Sequence, residues 1–228
     1  MAPAEKIIVA LDVPDEEAAA RLLESLGGSV RFFKIGLQLF CKCGPSIVRS
    51  VQASGAKVFL DLKFHDIPNT VKHAAQSACA LGVDMLTIHL SGGAAMIRAA
   101  AEGAEGSSAL VLGVSVLTSS TRETLREIAV DAAVEDQVLR LARLGLENGV
   151  RGVVASPQEI SLLRQVFNDQ LAIVTPGVRP EWAAANDQQR TLTPRAAVLA
   201  GADFLVIGRP ITGAEDPDHA ARAIEATL

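Results

Sequence analysis

Cysteine and histidine are scarce, at three and four in 228 residues. A small, odd cysteine count in a chain of this length excludes a disulfide framework. Cys41-x-Cys43 lacks metal-site spacing, no second pair accompanies it, and Cys79 lies far from both. His65, His73, His89 and His219 form no H-x-x-x-H or H-E-x-x-H element. Neither structural nor catalytic zinc is expected. No apolar run is long enough to span a bilayer. The first residues, Met1-Ala2-Pro3-Ala4-Glu5-Lys6, lack the apolar stretch of a signal peptide, so a cytoplasmic location and no membrane partner are expected. Cations are outnumbered: 21 Lys and Arg against 26 Asp and Glu give a net charge of −5. That balance argues against nucleic acid as a partner but leaves room for a local cationic pocket. An early G-x-G-x-x-G is absent as well, which removes the main support for a dinucleotide-binding open sheet.

What is present is one rhythm repeated. Short apolar runs at Lys6–Leu11, Val30–Ile35, Ala56–Leu60, Val83–Ile88, Ala109–Val116, Gly149–Val154, Leu171–Thr175 and Phe204–Ile207 alternate with helical patterns. The strands are continuously apolar rather than alternating, as parallel strands covered by helices should be. Eight strand–helix pairs leave about 28 residues per unit, which fits a single-domain (β/α)8 TIM barrel over residues 1–228. Breaks within helical stretches are expected near Gly44-Pro45 and Asp131-Ala132, and helix starts at Pro68 and Thr193-Pro194. No linker or low-complexity segment interrupts the pattern. The one long connection without periodicity, Gly177–Thr193, is rich in Asn, Asp, Gln and Arg and follows strand seven. Barrels commonly hold phosphate there, so a mobile phosphate lid is expected.

Charge arrives abruptly at the end of the third apolar run. Asp61, Lys63 and Asp66 place two carboxylates and an ammonium within six residues, just before Ile67-Pro68 opens a helix. Asp61 and Lys63, two apart, point the same way if strand geometry persists that far. An arbitrary D-x-K-x-x-D is more often a solvated ion-pair cluster on a loop. Here an apolar strand precedes it and a helix start follows, where α/β scaffolds place their sites. Asp12, Lys34, His89, Thr118, Arg179 and Arg209 stand at the ends of other strands and converge on the same face in a barrel. Gly208-Arg209 suits phosphate, because glycine lets an oxyanion approach backbone N–H groups and arginine adds a forked cation. Arg179 and Gln188 offer further donors.

These residues resemble the orotidine 5′-phosphate decarboxylase family, particularly its bacterial type. Asp61-x-Lys63-x-x-Asp66-Ile67-Pro68-Asn69-Thr70 looks like its signature. Leu117-Thr118-Ser119, Thr175-Pro176-Gly177-Val178-Arg179, Asp187-Gln188-x-Arg190 and Ile207-Gly208-Arg209-Pro210 follow in the family's order, and Asp12 and Lys34 also match. The resemblance implies a barrel that converts orotidine 5′-monophosphate to uridine 5′-monophosphate (UMP) and CO2 with no metal or cofactor. It implies a homodimer with active sites shared across the interface. Lys34, Asp61, Lys63 and Asp66 would form an alternating charged network, Asp66 coming from the neighbouring subunit, with Lys63 protonating the C6 carbanion. Asp12, Lys34 and the neighbour's Thr70 would hold the ribose. Thr118 would bind the pyrimidine edge, and Ile67 and Pro176 would wall the base. Arg179, Gln188, Gly208 and Arg209 would bind phosphate. His65 and His89 are expected to be scaffold.

Two rivals share parts of this pattern. Sugar-phosphate decarboxylases and hexulose-phosphate synthases resemble the chain at Asp61-x-Lys63-x-x-Asp66 but place a magnesium-binding Glu at the end of strand two. This chain has Lys34 there, which repels a metal. A non-catalytic UMP sensor would be expected to lose part of the charged network, and all four of its residues are present.

Overall fold

A computed structural model describes residues 3–183 and 191–228. Eight parallel strands close into a barrel in sequence order: β1 Ile7–Ala10, β2 Phe32–Gly36, β3 Lys57–Phe64, β4 Met85–His89, β5 Leu110–Val114, β6 Gly152–Val154, β7 Ala172–Pro176 and β8 Phe204–Ile207. β1 pairs with both β2 and β8, so no strand edge is left open. The eightfold rhythm and the (β/α)8 TIM barrel expected from it are what the chain forms.

The outer layer comprises α1 Glu16–Leu26, α2 Leu37–Cys43, α3 Ser46–Ala53, α4 Pro68–Ala80, α5 Gly93–Gly103, α6 Arg122–Glu127, α7 Val134–Glu147, α8 Ile160–Phe167, α9 Pro194–Ala200, α10 Arg209–Thr212 and α11 Pro217–Glu225. Local chemistry sets their ends. Asp15 caps α1 by accepting from the Ala18 N–H at 2.9 Å, and Thr193 caps α9 by accepting from Ala196 at 3.2 Å. Proline fills the first turn of α4, where a missing N–H costs nothing. The predicted break at Gly44-Pro45 separates α2 from α3, with Gly44 at φ 64° closing α2.

Alternate strand residues face opposite sides and make two cores. Ile8, Ala10, Phe32, Phe59, Met85, Leu112, Val174 and Val206 fill the barrel interior. Val9, Phe33, Ile35, Leu60, Leu86, Ile88, Ile173 and Leu205 face the helices. At the N-terminal end the same device occurs four strands apart. The Asp84 carboxylate accepts the Val58 N–H at 2.8 Å, and that of Asp203 accepts the Ile173 N–H at 2.7 Å. Each satisfies an amide at the start of the preceding strand, which would otherwise be left open.

β6 is shorter than the expected Gly149–Val154, and β3 departs furthest. β3 does not stop at Leu60 but continues to Phe64, with its register against β4 shifting between Leu60 and Phe64. Lys63 sits in this irregularity at φ 53°. Strand pairing therefore persists through Asp61 and Lys63 as a bulge rather than as a regular pleat.

Candidate active site

The site is the next pleat above the interior core. Two residues beyond Ala10, Phe32, Phe59, Met85, Leu112, Val174 and Val206 stand Asp12, Lys34, Asp61, Thr87, Val114, Pro176 and Gly208. A period of two thus carries the inward direction from the apolar plug into a polar layer at the strands' C-terminal ends. A cavity of about 220 Å³ opens there, lined by Lys34, Asp61, Lys63, Thr118 and Pro176, with Val114, Val154 and Val206 as an apolar wall.

Charges alternate across one side of it. The Lys34 ammonium donates to Asp12 Oδ1 at 3.0 Å and lies 3.6 Å from Asp61 Oδ2. The Lys63 ammonium lies 2.9 Å from both Asp61 oxygens. Lys34 and Asp61 are both buried. Burying charge this far costs several kcal/mol per ion unless opposite charges meet it closely, and each ion here has such a partner. Gly36 makes the Lys34 position possible, because a Cβ on it would stand 2.9 Å from Lys34 Nζ. That requirement could not be read from sequence, because it depends on where the Lys34 side chain lies in the fold.

Beneath Asp61 lies a residue that the sequence reading missed. Thr87 is fully buried, donates from Oγ1 to Asp61 Oδ1 at 3.0 Å and accepts the Lys63 backbone N–H at 2.8 Å. A β-branched residue within Met85–His89 reads as ordinary strand material. The only signal in the sequence is a hydroxyl inside an otherwise apolar run.

Arg179 and Arg209 follow β7 and β8 and do not line the cavity. Arg179 is buried, donates from Nη1 to the Val178 carbonyl at 3.0 Å and leaves its Nε without a protein partner. Burial first, and the charge of Arg209 second, lower its pKa from the ordinary guanidinium value. Two guanidiniums close enough to repel each other make a place where an anion is favoured. Gly208 lies beside Asp12, since a Cβ on it would meet Ala10 Cβ at 3.6 Å and Asp12 Oδ2 at 3.9 Å. Those are ordinary contacts, so packing alone does not demand glycine. The Arg179 N–H donates to the Leu192 carbonyl at 3.0 Å, tying together the two flanks of the predicted lid. Gln188 and the rest of residues 184–190, where most of the expected lid falls, lie outside the described residues.

Asp66, Ile67 and Thr70 are not drawn into their own chain's cavity. All three are exposed, and the Asp66 carboxylate accepts the adjacent Ile67 N–H. His65 and His89 stack at 5.4 Å between centroids, and the pKa of His89 is lowered by burial, then by His65 and Lys63.

A closed parallel barrel with a partly buried acid–base cluster and two neighbouring guanidiniums at the C-terminal ends of its strands defines a class, that of (β/α)8-barrel enzymes. The chain belongs, more narrowly, to the orotidine 5′-phosphate decarboxylase / HUMPS family, whose model matches residues 5–224. It is 52% identical to the orotidine 5′-phosphate decarboxylase of Syntrophotalea carbinolica, over 96% of this chain and 93% of that protein. It is 50% identical to that of Moorella thermoacetica, over 98% and 92%. The crystal structure of orotidine 5′-phosphate decarboxylase from Lactobacillus acidophilus superposes with a TM-score of 0.87 at 37% identity, covering 98% of both chains.

Proposed function

We propose that this site decarboxylates orotidine 5′-monophosphate to UMP, the last step of de novo pyrimidine nucleotide synthesis, without metal or cofactor. The observation that carries the reading is the Asp61 carboxylate held between two ammoniums, 2.9 Å from Lys63 and 3.6 Å from Lys34. The substrate's C6 carboxylate sits against Asp61, an unfavourable like-charge contact. The C6–carboxylate bond breaks, CO2 leaves, and the electron pair stays on C6. The Lys63 ammonium stabilises that carbanion and then gives it a proton, forming the C6–H bond of UMP. Charges already fixed in place need little reorganisation as the carbanion develops.

The remaining groups hold the nucleotide. Asp12 and Lys34 take ribose hydroxyls, Thr118 takes the pyrimidine edge, and Pro176 covers the base. Arg179, Gln188, Gly208 and Arg209 take the phosphate. Phosphate lies far from the reacting bond, so its binding energy is available to organise the site. A second copy of the chain supplies Asp66, Ile67 and Thr70. In support, Ile67 is 66% exposed, Leu37 52% and Leu117 43%, a set of bare apolar side chains following the strands at this end of the barrel. The homodimer acts as a single-domain enzyme over residues 1–228 in the cytoplasm. No helix among the described residues is long and apolar enough to cross a membrane.

The sugar-phosphate branch of the family is disfavoured by Lys34. Its ammonium bridges toward Asp12 and Asp61, where a divalent cation would have to sit to be shared by the two carboxylates. Incubating the purified chain with orotidine 5′-monophosphate and separating the products tests the proposal. UMP in step with substrate loss is expected; unconsumed substrate contradicts it.

A further inference from the structure

Lys63 is a non-glycine residue at φ 53°, a conformation that costs an L-residue roughly 1–2 kcal/mol. It also sits where the β3–β4 register shifts, so its N–H has lost a regular strand partner. A half-buried N–H in that position still gains from another acceptor. Thr87 Oγ1 provides it, at 2.8 Å. A hydroxyl has one proton and two lone pairs. Because the Lys63 N–H can only donate, the Thr87 proton is left for Asp61 Oδ1, 3.0 Å away. One fully buried hydroxyl therefore ties the backbone of the proton donor to the carboxylate that faces it. Its direction follows from donor chemistry alone.

We propose that Thr87 is a positioning residue for decarboxylation, a role that rests on the reading of Asp61 and Lys63 given above. Rotation of an aspartate about its last torsion is soft and roughly two-fold. The two ammoniums attract the carboxylate without fixing that torsion. The Thr87 hydroxyl, packed beneath in the barrel interior, locks the carboxylate plane. Through the Lys63 amide it holds the bulge that aims the ammonium. The hydrogen bonds of the Thr87 hydroxyl go to Lys63 and Asp61 and to neither Asp12 nor Arg179, so its loss acts on the chemical step and leaves nucleotide binding in place.

The test compares Thr87→Val, which keeps shape and removes the hydroxyl, with Thr87→Ser, which keeps the hydroxyl. Expected for Thr87→Val is a fall in kcat of at least about tenfold with KM within about threefold, and for Thr87→Ser a kcat within about threefold of wild type. Exchange of the Lys63 amide with D2O should be at least about tenfold faster in Thr87→Val than in wild type or Thr87→Ser. If Thr87→Val does not fold, Thr87→Ala against Thr87→Ser repeats the comparison at equal loss of the methyl group. An inactive wild type would overturn the assigned function, and amide exchange would still decide whether Thr87 holds the bulge. A Thr87→Val enzyme with unchanged kcat, a Ser variant no better than Val, or unaltered exchange at Lys63 overturns the proposal.

Discussion

Lys63 places its ammonium 2.9 Å from both carboxylate oxygens of Asp61, two residues earlier, from a backbone conformation that strands do not normally use. This charged pair sits on a bulge in β3, where Thr87 hydrogen-bonds to both residues.

Lys63→Ala should abolish turnover while the barrel stays folded. Lys63 has the only ammonium joined to both Asp61 oxygens among the described residues. A folded variant retaining a tenth of wild-type turnover would show that another group delivers the proton. Lys63→Gly should be more stable than Lys63→Ala by about 1 kcal/mol, since only the alanine keeps the left-handed strain. Denaturant midpoints of the two variants measure this.

Arg209→Ala should lower kcat/KM at least about tenfold, the value of one charge-assisted hydrogen bond of roughly 1.5–3 kcal/mol. An unchanged kcat/KM would make Arg209 a surface residue and remove it from the phosphate site.

Stability should fall as the pH drops below about 6.5, partly through His89. Its folded pKa is lowered, chiefly by burial, so below the unfolded value the unfolded chain binds the extra proton. Stability therefore rises with pH through that window and levels off above it. In His89→Gln the decline in Tm from pH 7 to pH 5 should be shallower than in wild type. Parallel Tm curves would show that His89 does not contribute to it.

Most of the scaffold was legible because its signals are local. Eight apolar runs marked eight strands, and Pro68 marked the start of α4 at Pro68–Ala80. The polar residues at strand ends fell on one face because a barrel leaves them no other. The apolar run in β3 ends at Leu60, so whether strand geometry persists through Asp61 and Lys63 stayed open. The pairing that extends the strand to Phe64 depends on β4, and such contacts leave no trace in a one-dimensional pattern. Thr87 and Gly36 were hidden for the same reason, since each acts on a side chain brought to it only by folding.

The proposed sharing of sites between subunits makes a sharp prediction, because Asp66 is exposed in its own chain and turned to the Ile67 N–H. Lys63→Ala and Asp66→Ala homodimers should both be nearly inactive. In a mixed dimer both lesions fall in one site and the other is intact. Random pairing of equal amounts makes about half the dimers mixed, so co-expression should restore about a quarter of all sites. Mixed dimers as inactive as the parents would place Asp66 within its own chain's site.

The central claim is that fixed ammonium and carboxylate charges, with no metal, remove CO2 from orotidine 5′-monophosphate. Following the ultraviolet absorbance of that substrate with the purified chain, with and without a strong chelator, tests it most directly. The account predicts loss of substrate absorbance at the same rate in both. Unchanged absorbance, or a rate abolished by the chelator and restored by magnesium, would contradict it.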